Sequence, residues 1–106
     1  MAAHAERGMS APPEVVFNTA TDPARLDGWL PKPLRAEGKP RERKALGARW
    51  ESSGWSAVLK AEPADPGGAR VHLDLGGDLP DDKLTQLARD CLARLAEHVY
   101  DNLTTG

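Results

Sequence analysis

The sequence predicts an α+β domain in which an antiparallel sheet packs on one long C-terminal helix. Three observations lead there: apolar residues alternate between 46 and 75, a helical apolar stripe runs from 81 to 103, and cap-then-proline signatures stand at 10–13 and 22–23. A chain of 106 residues has room for one core, so residues 1–106 are read as one domain. Hydrophobic residues at 40% and charged residues at 28% place it among globular rather than disordered chains.

Residues 3–10 carry no β-branched side chain and by themselves make a weak strand. Helix signals follow at once. Ser10 or Ala11 is placed to cap, and Pro12 and Pro13 fall in the first turn, where a missing N–H costs nothing. Val15, Val16 and Thr19 or Ala20 supply a short apolar face. Asp22-Pro23 repeats the signature and opens a second short helix through Leu26, stopped by Gly28 and Pro31. Residues 31–45 hold prolines, a glycine and a basic block, and read as an irregular connection with room for a short strand near 41–45.

Alternation then takes over. Leu46, Ala48, Trp50 and Ser52 share one face, as do Trp55, Ala57, Leu59 and Ala61 in the next segment and Val71, Leu73 and Leu75 in the third; His72 and Asp74 point the other way. Ser53-Gly54 joins the first two segments. Asp65-Pro66-Gly67-Gly68 joins the last two, with Pro and Gly where a type II turn wants them. The final segment carries Leu84, Leu87, Ala88, Cys91, Leu92, Leu95, Ala96, Val99 and Leu103 on one helical stripe, with Asp81 and Asp82 at the positive end of the helix dipole. Residues 81–103 as a helix span about 34 Å, enough to cross the whole meander.

A formal charge of −2 argues against a dedicated nucleic-acid binder. The basic block (Lys32, Arg35, Lys39, Arg41, Arg43, Lys44) lacks interleaved aromatics, and such runs in loops are usually solvated. One cysteine, Cys91, allows no internal disulfide, and no secretion signal leads the chain, so a cytoplasmic location is expected. No apolar stretch reaches the roughly 18 to 20 residues that cross a bilayer.

Ser10-Ala11-Pro12-Pro13-Glu14-Val15-Val16-Phe17, the Asp22-Pro23 turn and Trp29 together resemble the front of the START-like superfamily, also called SRPBCC, polyketide cyclase/dehydratase-like or Bet v 1-like proteins. The resemblance spans about residues 3 to 103 in order and spacing. It implies a first strand at 3–10, two short helices, and a sheet curled around the last helix in a helix-grip fold. It also implies a groove for lipids, sterols or polyketide-like molecules, with cyclisation or dehydration in a few members. Such proteins usually have six strands between the second short helix and the last one, whereas residues 35–80 hold three, with a fourth near 41–45. A shortened sheet encloses less space.

If the groove is the site, its lining is Trp29, Trp50, Trp55, Leu59 and Leu73 facing Leu84, Ala88, Cys91 and Leu95. The tryptophans offer flat apolar surface with one N–H donor each; the plainer reading is that all of these residues fill the core. Cys91 and His98 lie about 10 Å apart along one helix, and His72 alternates away from the apolar face, so no metal site and no cofactor is expected. No carboxylate is placed for acid-base work, and no catalytic residue is assigned. The expected function is non-catalytic binding of a small apolar molecule. Two alternatives stand beside it: a cyclase- or dehydratase-type enzyme, and an interaction module with a filled core that presents an edge strand, the basic loop or a homodimer face.

Overall fold

The structure, a computed structural model, describes residues 2–37, 40, 42–52 and 54–105, the side chains at 36, 37, 42, 44 and 102–105 excepted. Strand β1 (Ala2–Met9) leads into helices α1 (Pro13–Ala20) and α2 (Leu26–Trp29) and a 3-10 helix (Lys32–Glu37). Strands β2 (Glu42–Lys44), β3 (Gly47–Ser52), β4 (Trp55–Ala64) and β5 (Gly68–Gly76) follow, and α3 (Asp81–Thr105) closes the fold. The sheet has five strands in the order β1-β5-β4-β3-β2, every neighbouring pair antiparallel. This is the expected α+β architecture, with short helices after the first strand and a long helix at the end.

The meander forms because each strand has one apolar side. Ala48 and Trp50 in β3, Ala57, Leu59 and Ala61 in β4, and Val71, Leu73 and Leu75 in β5 all turn inward and are buried. Strand β1 contributes Ala5 and Met9 to the same layer. It pairs with β5 along its whole length, from Ala2 opposite Gly76 to Met9 opposite Ala69, which makes it an edge strand despite its poor strand composition. The α3 stripe is buried at Leu84, Ala88, Cys91, Leu92, Leu95, Ala96 and Val99, and half-buried at Leu87. The side chain of Leu103 lies outside the described residues.

Helix α3 approaches β1 and β5 most closely, rather than crossing the whole meander as its length alone implies. The 3-10 helix covers β3 and β4, and α1 lies over β4 and β5. The layer facing the sheet is therefore built from four helical pieces.

Four local expectations are corrected. Pro12 rather than Ser10 or Ala11 is the N-cap of α1, with ψ 147°, and its carbonyl accepts from Val15 N and Val16 N. Asp22-Pro23 opens a turn rather than a helix: Arg25 N bonds Asp22 O at 2.9 Å, Ala24 N bonds Asp22 Oδ1 at 3.0 Å, and the helix begins at Leu26. Gly28 is accordingly inside α2, and Leu30, extended before Pro31, ends it. The β4–β5 turn closes one residue earlier than a 65–68 type II turn, with Gly67 N donating to Ala64 O at 3.0 Å, a cis Asp65–Pro66 bond and Gly67 at φ 88°. Gly54 turns between β3 and β4 at φ 83°, while Ser53 lies outside the described residues.

Candidate functional site

The sheet–helix groove is the site the sequence points to. Eight of its nine expected lining residues (Trp29, Trp50, Leu59, Leu73, Leu84, Ala88, Cys91 and Leu95) are at most 1% exposed and belong to one contiguous core. Trp55 is half-buried at the sheet end, its ring against Gly77 where a Cβ would come within 2.3 Å. Trp50 packs on Trp29, with ring centroids 5.4 Å apart at 79°, an edge-to-face pair.

Local structure fixes both rings. Trp29 ends α2 and its Nε1 donates to Ala20 O at 3.2 Å, tying α2 back to the end of α1. That end is stiffened by Thr21 Oγ1 donating to Phe17 O at 2.9 Å and Thr19 Oγ1 donating to Val15 O at 2.8 Å. The Arg43 guanidinium stacks over the Phe17 ring at 5.1 Å, so one cation of the basic block serves packing. Arg35 is also used locally, its Nε donating to Leu30 O at 2.6 Å. Lys39 and Arg41 lie outside the described residues.

Trp50 differs from Trp29 in one respect. Its Nε1 is sealed from solvent and has no hydrogen-bond acceptor among the described residues. Buried donors are almost always satisfied, so this N–H is the groove's one unclaimed polar group among the described core residues.

Other chemistry inside the core is sparse. Among the described residues the buried polar side chains are Thr19 and Thr21, both bonded back to helix carbonyls. Burial pushes the Cys91 thiol from 9.0 up to about 11, with Arg94 opposing and Asp90 reinforcing the effect. His98 is half-buried beside Arg25 Nη1 at 3.3 Å, and Tyr100 is exposed.

Three cavities are lined by described residues, and Leu59 is the one expected groove residue that borders any of them. One of about 300 Å³ is bounded by Ala45, Gly47–Arg49 and Val58–Lys60 on β3 and β4. The other two, of about 400 and 840 Å³, flank the β4–β5 turn and the β1–α1 junction.

The outer face of the sheet carries a constellation that sequence reasoning missed. His4 and Glu6 on β1 and His72 on β5 bring ligand-type atoms within 4.8 Å of one another. His72, Cys91 and His98, the residues compared from sequence as metal ligands, are sent by the fold to the outer sheet face, the core and the α2–α3 contact. The signal was present as period-2 spacing: His4 and Glu6 share a strand face, as do His72 and Asp74. What joins them is the β1–β5 register, with Glu6 opposite His72 and His4 opposite Asp74.

No family model and no curated protein matches this chain. Solved structures do match in fold. Protein CV1439 from Chromobacterium violaceum aligns with TM-score 0.69 at 20% identity, covering 92% of this chain and 96% of that one. TTHA0849 from Thermus thermophilus aligns with TM-score 0.63 at 19% identity over 96% of this chain and 99% of that one. NE0264 from Nitrosomonas europaea aligns with TM-score 0.64 at 15% identity over 96% of both. At these identities the likeness establishes the α+β fold.

Proposed function

We propose that the chain is a non-catalytic binding protein of the START-like kind, taking a small apolar molecule with one hydrogen-bond acceptor between the sheet and its helical layer. The observation that carries this reading is the Trp50 indole N–H, buried without an acceptor among apolar side chains. A buried donor left unpaired costs about 1 to 3 kcal/mol, and a ligand carbonyl or hydroxyl oxygen would recover much of that. Kinship with START-like proteins is supported by the front motif and the order of elements. The ligand classes it brings are lipids, sterols and polyketide-like molecules.

Because the lining is closed, a guest has to part packed side chains, among them the Trp29 ring that packs edge-to-face on Trp50. Titration of tryptophan fluorescence with a fatty acid, a sterol and an aromatic polyketide tests the reading. A saturable change is expected from at least one class, kept in Trp55→Phe and weakened in Trp50→Phe. No response from any class overturns it.

The burial of eight of the nine lining residues favours a second reading, an interaction module whose core is filled. A cyclase- or dehydratase-type reaction would need an acid-base group in the groove. The described core offers one titratable side chain, the Cys91 thiol, which holds its proton up to about pH 11.

A further inference from the structure

We propose that His4, Glu6 and His72 form a binding site for a divalent transition-metal ion of the zinc class on the outer face of the β1–β5 pair. Two imidazoles and one carboxylate are the donor set such ions favour, and three protein ligands leave a coordination position for water or a further ligand.

Tetrahedral bonds of 2.0 to 2.1 Å place ligand atoms about 3.3 to 3.4 Å apart. His72 Nδ1 and Glu6 Oε2 already stand 3.3 Å apart. The third ligand sits diagonally across the strand pair, with the His4 and His72 ring centroids separated by 5.5 Å. All three donor atoms fall within 4.8 Å, so small rotations of exposed side chains close the triangle.

The groups behind the ligands fit as well. His4 Nδ1 donates to Asp74 Oδ1 at 2.7 Å, which fixes the tautomer and leaves Nε2 with its lone pair. His72 Nε2 is shut off from solvent and lies 3.4 Å from Glu62 Oε2, outside hydrogen-bond alignment, so its Nδ1 is the nitrogen turned towards Glu6. His4 thus has a carboxylate bonded at one nitrogen and the candidate ion at the other, the arrangement that orients histidine ligands at metal centres, while Glu62 stands near the far nitrogen of His72 without a formed bond. Glu6 Oε1 faces Arg70 Nη1 at 3.3 Å, leaving Oε2 for the ion. Three carboxylates (Glu6, Glu62, Asp74) against Arg70 and Lys60 leave a net negative patch when the imidazoles are neutral.

The test is calorimetric titration of the full, tag-free chain with zinc chloride, with cobalt(II) as a paramagnetic probe of the histidine ring resonances. One zinc per chain is expected, and cobalt should perturb His4 and His72 but not His98. His4→Ala or His72→Ala should weaken zinc binding at least tenfold, as should the shape-preserving Glu6→Gln. Asp74→Asn, a change at a positioning residue, should cost about 10- to 100-fold while keeping one zinc per chain. Absence of saturable binding overturns the proposal. So does unchanged affinity in the His4→Ala/His72→Ala double variant, or cobalt effects spread over all three histidines; these outcomes leave the face with cross-strand ion pairs alone.

Discussion

Cys91 stands in the middle of the α3 stripe, 1% exposed, and burial holds its thiol at about 11 against 9.0 for a free one. The unfolded chain loses this proton first as pH rises. The stability contributed by the buried neutral thiol is therefore complete below pH 9.0 and declines as pH climbs towards 11, by roughly 2 to 3 kcal/mol in all. Urea unfolding between pH 8 and 11 checks this: the native chain should lose more stability over that window than Cys91→Ala, and parallel curves would refute the assignment. The packing role of Cys91 was legible from its place in the helical spacing. The His4–Glu6–His72 grouping was not, although each half was visible as alternation, because the halves lie on strands paired across most of the chain. Trp50's unpaired N–H was likewise hidden, since sequence shows a donor but not where its acceptor would lie.

The β1–β5 ladder depends on close backbone approach at one end. A Cβ on Gly68 would sit 2.5 Å from the Met9 carbonyl oxygen, and a backbone atom cannot swing aside, whereas a Cβ on Gly8 meets nothing within 4 Å. Gly68→Ala should cost about 1 to 3 kcal/mol, and Gly8→Ala should fall within about 0.5 kcal/mol of the native chain. Chemical denaturation of the two variants measures the contrast, and equal midpoints would show that the edge strand is loosely seated. Among the elements, β3, β4, β5 and α3 were readable because each repeats an apolar period several times. Helix α2 starts later than the Asp22-Pro23 signature predicts because Asp22 caps a turn as readily as a helix, and Trp29 at the end of α2 is anchored on the Ala20 carbonyl. Strand β1 owes its existence to pairing with β5, a term that composition does not contain.

At the scale of the whole molecule one apolar layer joins the sheet, α3 and the short helices, so unfolding should be a single cooperative transition. Leu95, fully buried in that layer, should cost about 2 to 5 kcal/mol when replaced by alanine, without splitting the transition seen by fluorescence and circular dichroism. Early loss of one signal would mean two cores. A sheet facing a one-sided terminal helix was predictable from the periods alone. The division of labour, with α3 nearest β1 and β5 and the 3-10 helix over Trp50's strand, was not, because proline-rich segments carry no period from which their packing can be read. That division puts Trp50's strand under a six-residue 3-10 helix. The Trp50 indole N–H resonance, followed during titration with fatty acid, sterol and aromatic polyketide, tests ligand binding in the core. A saturable shift of Trp50 is expected, with a smaller one at Trp29, as the orphan donor gains an acceptor. A Trp50 signal unmoved by every class, with its proton exchanging only through global unfolding, would contradict it.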